Sequence, residues 1–282
     1  MESLFFRLTT FAFLMGETEQ NKADMSFLEH LEILRWHLVR STIAVLVFMV
    51  LAFSFKSILF DKIILAQKNS DFWTYQLLCR FSEWLGKGDL LCMGDIHFSL
   101  INITMSGQFT THIVTSMIAG IILAFPYILF EVWRFIRPAL QKSERGYARA
   151  LVFSGSFLFA AGILFGYYFI SPLSVQFLGN YKVSELVENQ ITLKSFISTV
   201  STITLACGLV FQLPLLVYFL TKLGFLTPEF MRKYRKHAVV ITLVLSAIIT
   251  PPDISSQILL TVPLLVLYEL SIYVSKIAIK KA

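Results

Sequence analysis

The residues best suited to bind a ligand are carboxylates set among many basic side chains, in the segment Phe130–Ala150. This segment, FEVWRFIRPALQKSERGYARA, carries the acids Glu131 and Glu144 between two long apolar runs. Its basic residues are Arg134, Arg137, Lys142, Arg145 and Arg149. A guanidinium binds a carboxylate through two parallel hydrogen bonds. We therefore expect Glu144 to face a cationic ligand that arrives from this side of the protein.

A second set of acids lies near the N-terminus, in the stretch SFLEHLEILRWHLVR that ends at Arg40. Leucines recur there at helical spacing, which predicts an amphipathic helix that runs directly into an apolar span. Glu29 and Glu32 precede Arg35 on this helix. Pairing of Glu32 with Arg35 is the alternative to ligand binding, since solvated helix faces commonly carry such pairs.

The sequence offers no constellation for catalysis or for a metal, and it predicts no cofactor. The string Gly86–Asp89 has the GxGD form of intramembrane proteases, but it lies in a polar stretch and no predicted span contains an aspartate. His30 and His37 lie two helical turns apart, roughly 10 Å, which is too far to hold one ion. The protein is therefore not expected to be an enzyme.

Composition places the chain in a membrane. Hydrophobic residues make up 56% of the 282 residues and charged residues only 15%, against about 25% charged in an average soluble domain. The mean hydropathy is +0.71. The net charge of +6 is interpreted as a topology signal and not as affinity for nucleic acid, because the basic residues cluster between apolar runs.

The apolar runs predict an all-α polytopic membrane protein with six transmembrane helices. These spans are expected at about 38–55, 109–130, 151–170, 196–220, 238–249 and 254–274. The last two helices are predicted to be short and to form a hairpin around Thr250-Pro251-Pro252-Asp253. The run 238–249 corresponds to roughly 18 Å of helix, against a hydrocarbon core of about 30 Å.

Most of the 24 Lys and Arg residues lie in segments that belong on one side of such a membrane. The positive-inside rule places this side, with both termini, in the cytoplasm. Residues 1–24 are expected to be a disordered N-terminal extension, and 25–282 a single transmembrane domain. Cys79 and Cys92 then share an extracytoplasmic loop, where they either form a disulfide or remain two free thiols.

Two glutamines are predicted to lie within the membrane. Gln212 stands next to Pro214 in the fourth span, and Gln257 lies near the outer end of the sixth. A polar group beside a helix break is typical of small-solute secondary transporters, which are the alternative function for this chain. No internal repeat and no ion-coupling acid supports that alternative. The alternative role for both amides is a packing contact between helices.

Combined, these motifs resemble the TatC subunit of the twin-arginine protein translocase. The resemblance extends from Phe27 to Ile272, and its motifs are specific in combination. They are His30-Leu31 with Leu34-Arg35; Phe130, Trp133, Phe135 and Pro138-Ala139-Leu140 followed by Glu144-Arg145; Thr227-Pro228-Glu229 with Arg232-Lys233; and Thr250 to Asp253 with Gln257, Pro263 and Tyr268-Glu269.

The resemblance implies a receptor, in the bacterial inner membrane, for folded cargo proteins whose signal peptides carry paired arginines. It also implies TatA- and TatB-type single-span partners, contact with membrane lipid, and transport driven by the proton-motive force. The residues implied to bind the signal are Glu144, Glu32, Glu29 and Arg35. Those implied to make polar contacts within the membrane or with partners are Gln212, Gln257 and Asp253. Two positions depart from the family pattern. Ile33 replaces a glutamate of the N-terminal motif, and Gln212 replaces an acid of the fourth span.

Overall fold

A computed structural model describes residues 27–69, 71–84, 98–136, 148–184, 186, 189–250 and 254–280. Within these residues the protein is a bundle of long helices with a small cap at one end. The helices are α1 Phe27–Ser54, α2 Trp73–Trp84, α3 Gly107–Ile136, α4 Ala148–Phe165, α5 Ser171–Asn180, α6 Leu193–Val210, α7 Leu213–Lys222, α8 Pro228–Lys233, α9 Arg235–Ile249 and α10 Ile254–Lys280. The strands are β1 Ser99–Ile101 and β2 Gln190–Thr192.

Five stretches of the described chain are long and apolar enough to cross a membrane. They are Leu31–Ser54, Gly107–Ile136, Ala150–Asn180, Leu193–Lys222 and Ser256–Ile279. They correspond to the predicted first, second, third, fourth and sixth spans. The fifth predicted span falls on α9, which has 15 residues. The six-span topology therefore remains a prediction.

Two predicted helix ends are wrong. The third span was expected to end at Ser171-Pro172, but helix continues to Asn180 because Pro172 occupies the first turn of α5, where its missing N–H costs nothing. The last helix was expected to be short, but α10 has 27 residues. It continues because Ser275 and Ala278 are buried against neighbouring helices instead of meeting water.

The stretch Lys56–Gln108 was predicted to be a polar loop, but it contains ordered helical pieces that form the cap. A π-helix, Ile58–Ile64, is followed by a 3₁₀ turn, Leu65–Lys68, and then by α2. The prediction missed them because their apolar residues serve the cap and not a span. Ile64 packs with Phe98, Val175 and Phe196 in a buried cluster.

Gln67 is the central polar residue of the cap and is fully buried. Its Nε2 donates to the carbonyl oxygen of Tyr167 (2.9 Å), and its Oε1 accepts from Ser171 Oγ (2.7 Å). Tyr167 belongs to a second π-helix, Gly166–Ile170, between α4 and α5. Thr74 Oγ1 donates to the carbonyl oxygen of Tyr168 in the same π-helix. These donors satisfy backbone groups that the wider π-helical turn leaves free.

Strands β1 and β2 join the cap to the start of α6. They pair in parallel, with Ser99 opposite Gln190 and Ile101 opposite Thr192. Thr192 also caps α6, its hydroxyl oxygen accepting from Ser195 N at 3.3 Å. The cap is thereby tied to the bundle at the end opposite the start of α1.

Small residues set the helix spacing in the bundle. A Cβ added to Gly120 of α3 would lie 2.8 Å from Met49 N and 2.9 Å from Val45 O, so the α1 and α3 backbones touch there. Gly162 and Gly166, which have GxxxG spacing, meet Cys207 of α6, the first at its backbone oxygen and the second at its side chain. Close approach of this kind needs glycine.

Candidate functional site at the basic end of the bundle

The basic end of the bundle is the end at which α1 begins and at which α3, α7 and α10 finish. Here the His37 ring of α1 donates its Nδ1 proton to the carboxylate of Glu131 on α3. The His37 side chain is 12% exposed and that of Glu131 only 1%. A buried carboxylate needs such a partner, because an unpaired charge in a low-dielectric interior is very costly. The pair fixes the register of α1 against α3.

An open groove of about 400 Å³ lies above this pair. Ile33, Trp36, His37, Arg40 and Arg134 line it. The first four lie on one face of α1, since they are spaced three or four residues apart, and Arg134 stands in the last turn of α3. The groove therefore has a buried carboxylate beneath it and two guanidiniums at its rim.

Of the residues predicted to read a cationic ligand, Glu32 and Arg35 are exposed on α1. No ion pair within 4 Å joins them to each other, or to any other described side chain. The predicted alternative, a Glu32–Arg35 pair, is therefore not formed. Glu29 belongs to α1, although its side chain lies outside the described part of the structure. Glu144 lies outside the described residues, in the stretch 137–147 that follows α3.

Contacts among the other helices complete the basic end. Thr221 Oγ1 of α7 donates to Ser275 Oγ of α10 at 2.9 Å. Arg235 of α9 binds Glu269 of α10 through an exposed ion pair, with Nη2 and Oε2 2.8 Å apart. Thr227 caps α8, its hydroxyl oxygen accepting from Phe230 N at 3.2 Å. The first two contacts join α7 and α9 to α10.

Gln212 lies at a break in the bundle, between the end of α6 and the start of α7. Its Nε2 donates to the carbonyl oxygen of Gly155 on α4 at 3.1 Å. Its Oε1 is buried and has no hydrogen-bond partner among the described residues. Because Pro214 lacks an N–H, it is well placed in the first turn of α7. The break therefore presents an amide oxygen with unused acceptor capacity in the interior.

Gln257, at the start of α10, and Cys79, in α2, lie away from the basic end. Gln257 Nε2 donates to the carbonyl oxygen of Leu243 at 3.4 Å, which joins α10 to α9. Asp253 and Cys92 lie outside the described residues. Cys79 is disulfide-bonded, and Cys207 is a buried free thiol. The pairing of Cys79 with Cys92 stays a prediction.

Sequence reasoning missed the burial of Glu131, which it assigned to a solvated loop. The spacing of small residues along α3 could have indicated that Glu131 is buried. Gly120 and Ala124 begin a buried stripe, and one heptad after Ala124 comes Glu131. An acid on a buried stripe requires a partner, and His37 provides it. In the described residues, no group of three His, Cys, Asp or Glu side chains could hold a metal ion.

The long apolar helices and the charged groove define a polytopic helical membrane protein with a polar site at one end of the bundle. A family model described as "Sec-independent protein translocase protein (TatC)" matches residues 29–263. The chain therefore belongs to the TatC family, and it is a multi-pass membrane protein of the Tat protein transport pathway.

Relatives and solved structures agree with this assignment. The TatC protein of Blattabacterium sp. subsp. Periplaneta americana is 37% identical, over 93% of this chain and 99% of that protein. The TatC protein of Aquifex aeolicus is 34% identical, over 91% of this chain and 97% of that protein. Two crystal structures described as twin arginine translocase receptor TatC superpose with TM-scores of 0.63 and 0.67. The first is 32% identical to this chain, and the match covers 89% of this chain and 99% of the crystallised chain. The second is 33% identical, and the match covers 87% of this chain and 98% of the crystallised chain.

Proposed function

We propose that this chain is the receptor and core subunit of a translocase that exports folded proteins across the inner membrane of a bacterium. Its cargo would carry signal peptides with paired arginines, and the proton-motive force would drive transport. The observation that carries the proposal is Glu32, an exposed carboxylate that pairs with no described basic side chain and that lies on the first helix of a chain that belongs to the TatC family. Membership in a protein-translocase family favours this function over small-solute transport.

Two arginines in a signal call for at least two carboxylates on one surface, because each guanidinium takes a bidentate partner. Glu144 is the proposed first acid. Glu32 is the proposed second, with Glu29, one turn earlier on α1, as the other candidate. Arg35 borders the same surface. Glu131 does not suit this role, since it is buried and already bound to His37.

The register of α1 against α3 supports a shared surface for these acids. The His37–Glu131 contact brings the start of α1 beside the last turns of α3. Residue 144 follows Ile136, the last residue of α3, by eight positions. Glu144 is therefore connected by a short chain segment to the end of α3, which lies beside α1. Ile33, which stands where the family pattern has a glutamate, lies on the groove. The acid nearest to that position is Glu32.

Gln212 is proposed to serve as a polar contact for a partner's transmembrane segment. A buried amide oxygen without a partner is costly in an apolar interior and favours any donor that reaches it. A TatA- or TatB-type single-span subunit is the partner that family membership suggests. Gln257 and Asp253 are proposed as further polar contacts near the opposite end of the bundle.

Export of a folded reporter tests the proposal. A bacterium without its own TatC-type subunit would receive this chain with the TatA- and TatB-type proteins of its source, and a folded fluorescent reporter behind a paired-arginine leader. We expect reporter in the extracytoplasmic fraction, and none when the chain carries Glu29→Ala, Glu32→Ala and Glu144→Ala together. Retention of the reporter in the cytoplasm, with all subunits in the membrane, would contradict the translocase function.

A further inference from the structure

The groove at the basic end has an unusual charge balance. Arg40 and Arg134, both exposed, open onto it. Neither makes an ion pair within 4 Å with any side chain in the described parts of the chain. Glu131 interacts with Arg40 electrostatically, but it is buried and its contact partner is His37. The groove therefore presents two guanidiniums with unused donors to whatever enters it.

Both arginines belong to stretches that are long and apolar enough to cross a membrane. Arg134 is in the last turn of α3, and Arg40 lies in the first half of the apolar stretch Leu31–Ser54. Trp36, which is 56% exposed, lines the same groove. Tryptophan is enriched at the membrane–water interface, and arginine near a helix end extends its charge toward that interface.

An exposed apolar stripe continues from the groove along α1. Ile43, Val47 and Val50 follow Trp36 and Arg40 at spacings of three or four residues, so all five lie on one helix face. The three apolar residues are 55%, 53% and 64% exposed. Two arginines suit the phosphate group of an anionic phospholipid, and an apolar helix face next to them suits its acyl chains.

We propose that this groove binds the phosphate group of an anionic phospholipid, with Arg40 and Arg134 as its ligands and the α1 stripe as the path of the acyl chains. Arginine binds phosphate through two parallel hydrogen bonds, and basic pockets between transmembrane helices are known sites for lipid headgroups. The site uses neither Glu32 nor Glu144. Its test can therefore fail or succeed separately from that of the proposed function.

The test is native mass spectrometry of the full chain, purified in zwitterionic detergent and offered phosphatidylglycerol or phosphatidylcholine. We expect bound phosphatidylglycerol in preference to phosphatidylcholine. The double variant Arg40→Gln/Arg134→Gln should bind phosphatidylglycerol about tenfold more weakly, which corresponds to ~1.4 kcal/mol. The matched control is Arg232→Gln/Lys233→Gln, which removes the same charge from exposed residues in the last turn of α8.

Three results would overturn the proposal. The first is that the Arg40/Arg134 variant binds phosphatidylglycerol as strongly as the native chain does. The second is an equal loss in the Arg232/Lys233 control, which would indicate attraction to overall charge and not a site. The third is arginine-dependent binding of inorganic phosphate, offered alone, that matches the lipid in strength, which would assign the groove to a free phosphate.

Discussion

At the scale of single residues, the charged side chains of the basic end differ mainly in burial. Glu131 is enclosed and bound to His37, whereas Glu269 is about half exposed in its pair with Arg235. The same chemical group therefore contributes very differently in the two places. An exposed pair typically contributes under about 1 kcal/mol, whereas loss of one partner from a buried pair leaves an uncompensated polar group.

This difference predicts the stability of two matched variants. Glu131→Ala removes the acceptor of the His37 proton and should lower the free energy of unfolding by about 1.5–3 kcal/mol, the range for a hydrogen bond to a charged group. Glu269→Ala should lower it by less than about 1 kcal/mol. The measurement is the temperature at which the buried Cys207 thiol becomes reactive to a maleimide dye in detergent. Equal shifts in the two variants would contradict the role of the buried pair.

A second residue-scale prediction concerns Gln212. Gln212→Leu removes one hydrogen bond to Gly155 and one unpartnered oxygen, so the loss and the gain in folding stability should nearly cancel. We expect a dye-reaction midpoint close to that of the native chain, together with impaired export of the reporter. Gln212→Glu restores the acid of the family pattern and should retain export. Full export by the leucine variant would reduce Gln212 to a packing residue.

At the scale of elements, the sequence predicts helices well where apolar periodicity is long and polar residues mark both ends. The fourth span is an example, since its apolar run, 196–220, predicts the stretch that α6 and α7 together form. Prediction failed where buried polar contacts extend an element. Pro172 is tolerated because it lies in the first turn of α5, and the π-helix before it is stabilised by Gln67 and Thr74 from a distant part of the chain. No local pattern around Pro172 contains that information.

The cap contact can be tested through Gln67. Gln67→Leu leaves Ser171 Oγ and the Tyr167 carbonyl oxygen buried without their partner, which should cost about 1–3 kcal/mol of folding stability. The control is Gln76→Leu in α2, where the glutamine is exposed and donates to Asp71 O at 3.2 Å. The dye-reaction midpoint should fall for the first variant only. A midpoint unchanged in both would show that the cap does not depend on this amide.

At the scale of the whole molecule, the candidate site could be predicted only in part. The sequence identified Glu32 and Arg35, which the structure places exposed on α1. It did not indicate that Ile33, Arg40 and Arg134 share one groove. That arrangement depends on the register of α1 against α3, which is set by the Gly120 contact and the buried His37–Glu131 pair. Register between distant helices is a tertiary property that periodicity alone does not fix.

The orientation of the bundle is a prediction at this scale. The basic segments should place Ser143 in the cytoplasm and Asp89 outside. Ser143→Cys and Asp89→Cys, each in a chain whose native cysteines are replaced by serine, would be labelled in intact cells with a membrane-impermeant maleimide. We expect labelling at position 89 and none at 143. The opposite pattern would invert the topology and remove the signal-binding surface from the cytoplasm.

The central claim is that Glu144 and an acid of α1 read the paired arginines of a signal, and photocrosslinking tests it most directly. A leader peptide with a photoreactive residue beside its arginine pair would be offered to membranes with equal amounts of each variant. We expect Glu144→Ala to abolish the crosslink, and Glu32→Ala and Glu29→Ala, measured separately, to identify the second acid. Glu229→Ala, which removes an exposed acid from the first turn of α8, should leave it unchanged. Undiminished crosslinking in the variant lacking Glu29, Glu32 and Glu144 together would contradict the account.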